Sequence, residues 1–223
     1  NIQASKAIIS NMTVWDTYGK LIGTQRTPAE TRKTLSTFLS PGAYLIFAGM
    51  DQNATKRLPA DRLLVATQAP RTAENLVDSS RFSFSAAPEW DPRGPEGKLA
   101  VTISFSSDVD QWFTYHADAE EQTRKDEVAL AHAWEAIHHR LPELGAEIEV
   151  IETATPLTYY EATRRKLGMV GGLGFSLNSL DSPLISHRTT LPNVFMVGDT
   201  AFPGAGLMSV IQSSLIVANE ISS

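Results

Sequence analysis

The fold is decided by the stretch Leu191–Met208, which reads LPNVFMVGDTAFPGAGLM and runs on into an apolar helix. Val194–Val197 predicts a buried parallel strand, and Gly198 lets the backbone after it come close to a ligand. Asp199 then places a carboxylate at the carboxyl end of the strand, where open α/β sheets bind their ligands. A carboxylate in that place can accept hydrogen bonds from sugar hydroxyls.

The helix that follows opens at Gly204–Gly206, a Gly-Ala-Gly entry with no side-chain bulk. Free N–H groups and the positive end of the helix dipole therefore face the crevice, which suits a pyrophosphate or an electron-rich flavin edge. Each part alone is an ordinary turn or helix entry. A buried strand, Gly-Asp and Pro-Gly-Ala-Gly within about a dozen residues form a much rarer combination.

Composition narrows the class of protein. The chain has 223 residues with 42% hydrophobic content, a net charge of −6 and a pI of about 5.4, so it predicts a globular protein with no basic excess for nucleic acid. Because there is no cysteine, any redox chemistry must come from a cofactor. The apolar runs fall short of the roughly 20 residues of a membrane span, and we expect none.

Strands are predicted where short apolar runs or alternating patterns occur, at Ala43–Ala48, Arg62–Thr67, Arg81–Ser85, Leu99–Phe105 and Glu147–Ile151. The continuous apolar run of Ala43–Ala48 is typical of a strand buried on both faces. Leu99–Phe105 alternates instead and predicts a half-buried strand with a small, polar second face. Asp51–Pro59 reads as a polar turn, and Ala73–Leu76 as one helical turn.

Three helices are predicted before the C-terminal one, at Thr27–Ser40, Asp118–Leu141 and Thr155–Lys166. The first has Thr27 at the N-cap position with Pro28 after it, and the third has the same Thr-Pro start. In the second, acidic residues come first and His138, His139 and Arg140 come last, which suits the helix dipole. Its apolar stripe is predicted to consist of Val128, Ala131, Trp134, Ile137 and Leu141.

At these residues the chain resembles a known family. Val194–Asp199 and Pro203–Gly206, with the helix residues after them, are similar to the C-terminal flavin signature of bacterial-type phytoene desaturases, carotenoid isomerases and retinol saturases. Trp90–Gly97 resembles the Asp-Pro, Ala-Pro-Glu-Gly loop of that family. Thr155–Thr158 with Gly171–Gly172 resembles its Thr-Pro, Thr and Gly-Gly segment.

The resemblance implies an α/β (α+β) fold in which a glutathione-reductase-like FAD-binding domain is interrupted by a mixed-sheet substrate domain with helices. Lys6–Asn11 would be the strand that leads out of the flavin domain. We therefore expect residues 1–12 to be a strand of the FAD-binding domain and residues 13–185 the substrate-binding domain. Residues 186–223 would be the C-terminal strand and helix left over from the FAD-binding domain.

The resemblance also implies the site. Asp199 would be the carboxylate that binds the ribityl chain, and the backbone at Gly204–Leu207 would approach the flavin and the pyrophosphate. The expected cofactor-binding residues are Gly198, Asp199, Gly204, Ala205, Gly206, Leu207 and Met208. No catalytic residue and no metal ligand is assigned. Leu207–Ser209 replaces the usual Ile or Val, Pro and Gly, which leaves the reaction open.

The implied function is that of the C-terminal part of an FAD-dependent oxidoreductase that desaturates, saturates or isomerises a carotenoid or similar polyene. FAD is expected in the full-length protein and not in this chain, which has no Gly-x-Gly-x-x-Gly segment. The expected partners are the apolar polyene and the missing N-terminal FAD-binding segment. We expect no nucleic acid and a cytoplasmic location, with peripheral membrane contact left open.

Two alternatives stand beside this interpretation: a flavin-free module that binds an apolar ligand or a partner, and an amine-oxidase-like flavoenzyme with another substrate. The four tryptophans are read as core or rim residues rather than a polyene tunnel. Ser104, Asp108 and His116 fit no hydrolase pattern, since no Gly-x-Ser-x-Gly is present. We also expect the Leu191–Val197 strand to run parallel to Lys6–Ser10, and an apolar groove beside the Leu99–Phe105 strand.

Overall fold

The computed structural model describes residues 3–39, 41–66, 76–91, 94–113, 118–142, 144, 148–174 and 184–222. The chain forms two compact units, the first made of Asn1–Pro41 with Thr163–Ser223 and the second of Gly42–Ala162. The chain passes between the two units after residues 41 and 162, whereas the expected domain boundaries lay after residues 12 and 185. The first unit extends further because Val14, Tyr18 and Leu35 share one core with Met196 and Ala201.

The first unit is built on a parallel strand pair. Strand β1 (Ile8–Ser10) pairs with β7 (Val194–Met196), with Ile8 opposite Val194. The predicted parallel pairing is therefore confirmed. The helical elements of this unit are α1 (Val14–Asp16), a π-helix (Thr17–Gly23), α2 (Ala29–Thr37), a 3-10 turn (Lys166–Gly168) and α6 (Leu207–Ser222).

The second unit is built on a five-stranded sheet with the strand order β3-β4-β5-β2-β6. Its strands are β2 (Pro41–Asp51), β3 (Arg62–Ala66), β4 (Val77–Ala86), β5 (Lys98–Asp108) and β6 (Ile148–Ala154). Its helical elements are α3 (Gln52–Thr55), a 3-10 turn (Val109–Gln111), α4 (Ala119–Arg140) and α5 (Pro156–Thr163). The predicted combination of a mixed α/β architecture with helices is confirmed.

Strands β5 and β2 show how well periodicity predicts burial. Leu99, Val101, Ile103 and Phe105 of β5 are all buried, so the alternating pattern predicted the core face correctly. The prediction that β2 is buried on both faces was wrong. Its residues alternate between buried and partly buried, because β2 pairs antiparallel with β6 and turns one face to the core.

Helix α4 begins after Asp118, whose carboxylate accepts a hydrogen bond of 2.9 Å from the amide of Glu121. The helix was predicted correctly, and of its predicted stripe Ile137 and Leu141 are buried. Val128 and Ala131 are exposed, and the fully buried positions include Ala129, Ala133 and Ile137. The small alanine side chains allow the helix to pack against the sheet. A search for a stripe of larger apolar residues does not identify such positions.

Helix α2 begins at Ala29 rather than directly after Thr27, so the predicted N-cap was wrong. Thr27 is buried, and its hydroxyl donates to the carbonyls of Tyr18 (2.9 Å) and Gly23 (3.0 Å) instead of accepting from the helix. Among the described residues, no helix amide donates a hydrogen bond to the hydroxyl oxygen of Thr27, which an N-cap would require.

Helix α5 ends at Thr163 instead of Lys166, because Arg164 adopts a left-handed conformation with φ of 58°. The predicted turn at Asp51–Pro59 contains the short helix α3. The helical turn predicted at Ala73–Leu76 lies, except for its last residue, outside the described residues.

Candidate cofactor-binding site

The turn between β7 and α6 is held in place by a hydrogen bond to a buried side chain of α6. Gly198 has φ of +117°, a conformation that favours glycine, and its amide donates to the hydroxyl of Ser213 at 3.2 Å. Ser213 is fully buried on α6. The hydrogen bond therefore ties the end of the strand to the helix and holds the intervening turn in place.

Asp199 lies directly after this glycine and its side chain is 22% exposed. Its Oδ2 accepts a hydrogen bond of 2.8 Å from Nη2 of Arg165. Among the residues that the structure describes, no hydrogen bond reaches Oδ1 of Asp199. One carboxylate oxygen is thus held by the protein, and the other can accept from a ligand hydroxyl.

Gly204 and Gly206 have φ of +118° and +101°, so both need glycine. A Cβ added to either would meet nothing within 4 Å. The space beside both glycines is therefore open.

Helix α6 begins at Leu207, and Leu207 and Met208 are each 77% exposed. Within the described part of the chain, the backbone amides of Leu207, Met208 and Ser209 donate no hydrogen bond. The start of a 16-residue helix thus combines unpaired N–H groups, a positive dipole end and two exposed apolar side chains. These features suit a ligand with both anionic and apolar parts, as the flavin dinucleotide has.

The seven site residues predicted from the sequence all lie on this single turn and helix start. Their role in flavin binding stays a prediction. Sequence reasoning missed Arg165 and the close approach of Gly172, where an added Cβ would lie 2.7 Å from the carbonyl oxygen of Asp199 and 2.8 Å from Cβ of Ala205. The only signal that could have pointed to them is the Thr-Pro and Gly-Gly segment that flanks Arg165 in sequence.

A separate pocket of about 250 Å³ lies in the first unit. Trp15, Tyr18, Leu35 and Lys166 are among its lining residues, and Nζ of Lys166 lies 4.4 Å from the centroid of the Trp15 ring. Burial raises the pKa of Tyr18 above its ordinary value. Since the pocket lies in the first unit, it is not the groove expected beside β5, which stays a prediction.

The remaining candidates from the sequence give no second site. Trp112 is fully buried in the core of the second unit, while Trp90 is 81% exposed. His138 and His139 lie in the last turn of α4 as predicted. The described residues contain no group of three or more side chains that could hold a metal ion, and none of their helices is both long and apolar enough to cross a membrane.

Among known proteins, a solved structure shares the fold of this chain. No protein-family model matches the chain. A crystal structure of an oxidoreductase from Methanosarcina mazei superposes on it with a TM-score of 0.62 at 14% identity, over 98% of this chain and 44% of the other. At that identity the likeness shows the fold alone.

The particular relatives are prolycopene isomerases. The chloroplastic prolycopene isomerase of Arabidopsis thaliana is 26% identical over 223 residues, and that of Daucus carota is 25% identical over 224 residues. Each match covers 98% of this chain but only 36% and 35% of the relative. The chain thus spans about a third of the length of its curated relatives, and the resemblance to carotenoid isomerases inferred from its motifs is confirmed.

Proposed function

We propose that this chain is the C-terminal part of an FAD-dependent oxidoreductase that acts on a carotenoid or a similar polyene. The observation that carries the proposal is the Asp199 turn, where a parallel strand, an open carboxylate oxygen and a free helix N-terminus meet. The similarity to prolycopene isomerases over 98% of the chain supports the same conclusion. Isomerisation is the reaction that these relatives favour among desaturation, saturation and isomerisation.

In the proposed complex each part of the turn has its own task. Asp199 accepts hydrogen bonds from the ribityl hydroxyls, and the open backbone at Gly204–Gly206 lets the cofactor come close. The first amides of α6 donate to the pyrophosphate. When bound, FAD supplies hydride or electron exchange with the polyene. The exposed side chains of Leu207 and Met208 give that end of the site an apolar surface.

Replacing Asp199 tests the proposal in the full-length protein. In Asp199→Ala the ribityl hydroxyls lose an ionised acceptor, and hydrogen bonds to charged groups contribute about 1.5 to 3 kcal/mol. We therefore expect FAD to bind at least about tenfold more weakly, seen as lost flavin absorbance after desalting and as a raised dissociation constant for FAD.

The matched control is Asp110→Ala, which removes an exposed aspartate of the second unit. It should retain FAD like the wild-type protein. If Asp199→Ala keeps its full flavin content and affinity, the assignment of the Asp199 turn to FAD is wrong.

One observation favours a second candidate, a flavin-free module that binds a partner. Helix α6 presents an apolar face on which Leu207, Ile211 and Leu215 are 77%, 46% and 52% exposed. A partner-binding module would use this face and would not need Asp199. An unchanged Asp199→Ala protein combined with a full-length form that never binds flavin would favour this candidate.

A further inference from the structure

Among the described residues, Arg165 makes the one hydrogen bond to the side chain of Asp199. Its Nη2 lies 2.8 Å from Oδ2 of Asp199, and its Nε donates to the carbonyl of Met169 at 3.0 Å. The two side chains are 26% and 22% exposed, so the pair is largely shielded from water. The guanidinium is therefore held on one side by the backbone and holds the carboxylate on the other.

We infer that Arg165 is the positioning residue of the flavin site, an inference that rests on the proposed function. The guanidinium is planar and presents its N–H groups in a rigid fork, so a bond to one carboxylate oxygen restricts rotation of the whole carboxylate. With Oδ2 engaged, Oδ1 of Asp199 keeps one orientation. The ribityl chain then meets an acceptor that is already in place and loses less side-chain entropy on binding.

Arg165 also changes the electrostatics of the proposed site. Asp199 and the pyrophosphate are both anionic, and both belong to the same proposed site, so the bare carboxylate would repel the cofactor. The guanidinium at 2.8 Å offsets the charge of Asp199 where the cofactor would bind. The next cation along the chain, Lys166, lies over the Trp15 ring instead.

Packing supports the same assignment for the segment that carries Arg165. Seven residues further on, Gly172 has φ of +86° and approaches the carbonyl of Asp199 so closely that an added Cβ would lie only 2.7 Å away. The same Cβ would lie 2.8 Å from Cβ of Ala205. Residues 165–172 thus approach the Asp199 turn at both of their ends, through the hydrogen bond of Arg165 at one end and the backbone of Gly172 at the other.

A double-mutant cycle in the full-length protein tests the inference. We would measure the dissociation constant of FAD, by titrating FAD into apoprotein, for Arg165→Gln, Asp199→Ala and the double variant. Arg165→Gln should bind FAD about 5- to 20-fold more weakly, since it loses a charge-assisted hydrogen bond. Because Arg165 acts through Asp199, the double variant should bind no more weakly than Asp199→Ala alone.

The control is Arg188→Gln, which removes another arginine–carboxylate pair of the same unit, formed with Glu220. It should bind FAD like the wild-type protein. Arg165→Lys keeps the charge without the fork and should fall between the wild type and Arg165→Gln. If Arg165→Gln does not fold, Arg165→Lys carries the same cycle with Asp199→Ala.

The outcomes separate this inference from the proposed function. If Asp199→Ala weakens FAD binding while the Arg165 variants bind like Arg188→Gln, Arg165 has no positioning role and the proposed site stands. If the Arg165 and Asp199 effects simply add, Arg165 acts independently of Asp199 and the inference is wrong. If Asp199→Ala binds FAD normally, the proposed site itself is wrong.

Discussion

The carboxylate of Asp16 is buried in the first unit and is hydrogen-bonded from three directions. Nζ of Lys20 lies 2.8 Å from Oδ1, the hydroxyl of Thr13 lies 2.6 Å from Oδ2, and the amide of Lys166 donates to Oδ2 at 3.2 Å. Burial alone would raise the pKa of Asp16, but the hydrogen bonds from Lys20 and Thr13 outweigh it and hold this pKa below its ordinary value.

A pH dependence follows from this lowered pKa. A carboxyl group with a lower pKa in the folded than in the unfolded chain stabilises the fold above its unfolded pKa of about 4, and the contribution is lost as the pH falls through the folded pKa. We expect Asp16→Asn to lower the free energy of unfolding at pH 7 by about 1 to 3 kcal/mol. Denaturant unfolding should show the difference from wild type shrinking below about pH 4.

The comparison for Asp16→Asn is Asp110→Asn, an exposed aspartate for which no such change is expected. A difference between Asp16→Asn and wild type that stays constant from pH 7 down to pH 3 would contradict the assignment.

Contacts between individual side chains were the hardest features to predict from the sequence. Arg165 and Asp199 lie 34 positions apart, and nothing in the local pattern of either marks them as partners. Their pairing depends on how the chain returns to the β7 turn. The glycines of the Asp199 turn were proposed from the sequence because their order along a strand and helix is itself a signal, and their role in the site stays a prediction.

Three elements of the second unit meet at one partly buried hydrogen-bond network. The hydroxyl of Tyr44 on β2 donates to Oδ1 of Asp126 on α4 at 2.6 Å, and the hydroxyl of Thr153 on β6 donates to Oδ2 at 2.7 Å. Burial, first, and then the carboxylate of Asp126 raise the pKa of Tyr44 well above its ordinary value, so the phenol stays a donor. The network fastens α4 to two neighbouring strands of the sheet.

We expect Tyr44→Phe to lower the free energy of unfolding by about 1 to 2 kcal/mol, because it deletes one hydrogen bond to a charged group and leaves the ring in place. Asp126 keeps Thr153 as a partner, so the loss should stay well below that of Asp126→Ala. Chemical denaturation monitored by circular dichroism would measure both. An equal loss in the two variants would show that Tyr44 carries the whole network.

Helices and strands were predicted best from the sequence where their signal is a local pattern of residues. The alternation in β5 and the charges at the two ends of α4 were sufficient to predict both. The burial of β2 was overestimated, since a continuous apolar run does not reveal that one face is only partly covered. The stripe of α4 was misplaced at Val128 and Ala131, because the buried Ala129 and Ala133 carry little hydrophobic signal of their own.

The whole molecule has an uneven charge. The first unit holds nine Lys and Arg against five Asp and Glu, while the second holds ten against twenty. The unit that carries Asp199 and the start of α6 is therefore cationic within a chain whose net charge is −6. A positive unit suits an anionic cofactor, although salt screens such attraction beyond about 10 Å.

We expect this attraction to be too weak for the chain alone to bind FAD. Micromolar affinity requires about 8 kcal/mol, and the dipole of an exposed helix N-terminus contributes about 0.3 to 1 kcal/mol. Flavin dinucleotides are held mainly at the adenosine and pyrophosphate end, by a glycine-rich segment that this sequence does not contain. We expect the chain to be colourless after incubation with FAD and desalting, and the full-length protein to be yellow. A yellow chain would contradict this expectation.

The parallel pairing of β1 with β7 has a consequence for the order in which the chain folds. Strands β4 and β5 are joined by a short connection, whereas the chain between β1 and β7 is about four doublings longer, which adds about 2.5 kcal/mol of loop-closure entropy. Contacts that close short loops form early, and those that close long loops form late. We therefore expect β4 and β5 to pair while β1 and β7 are still apart, and the turn that carries Asp199 to be among the last features of the chain to form.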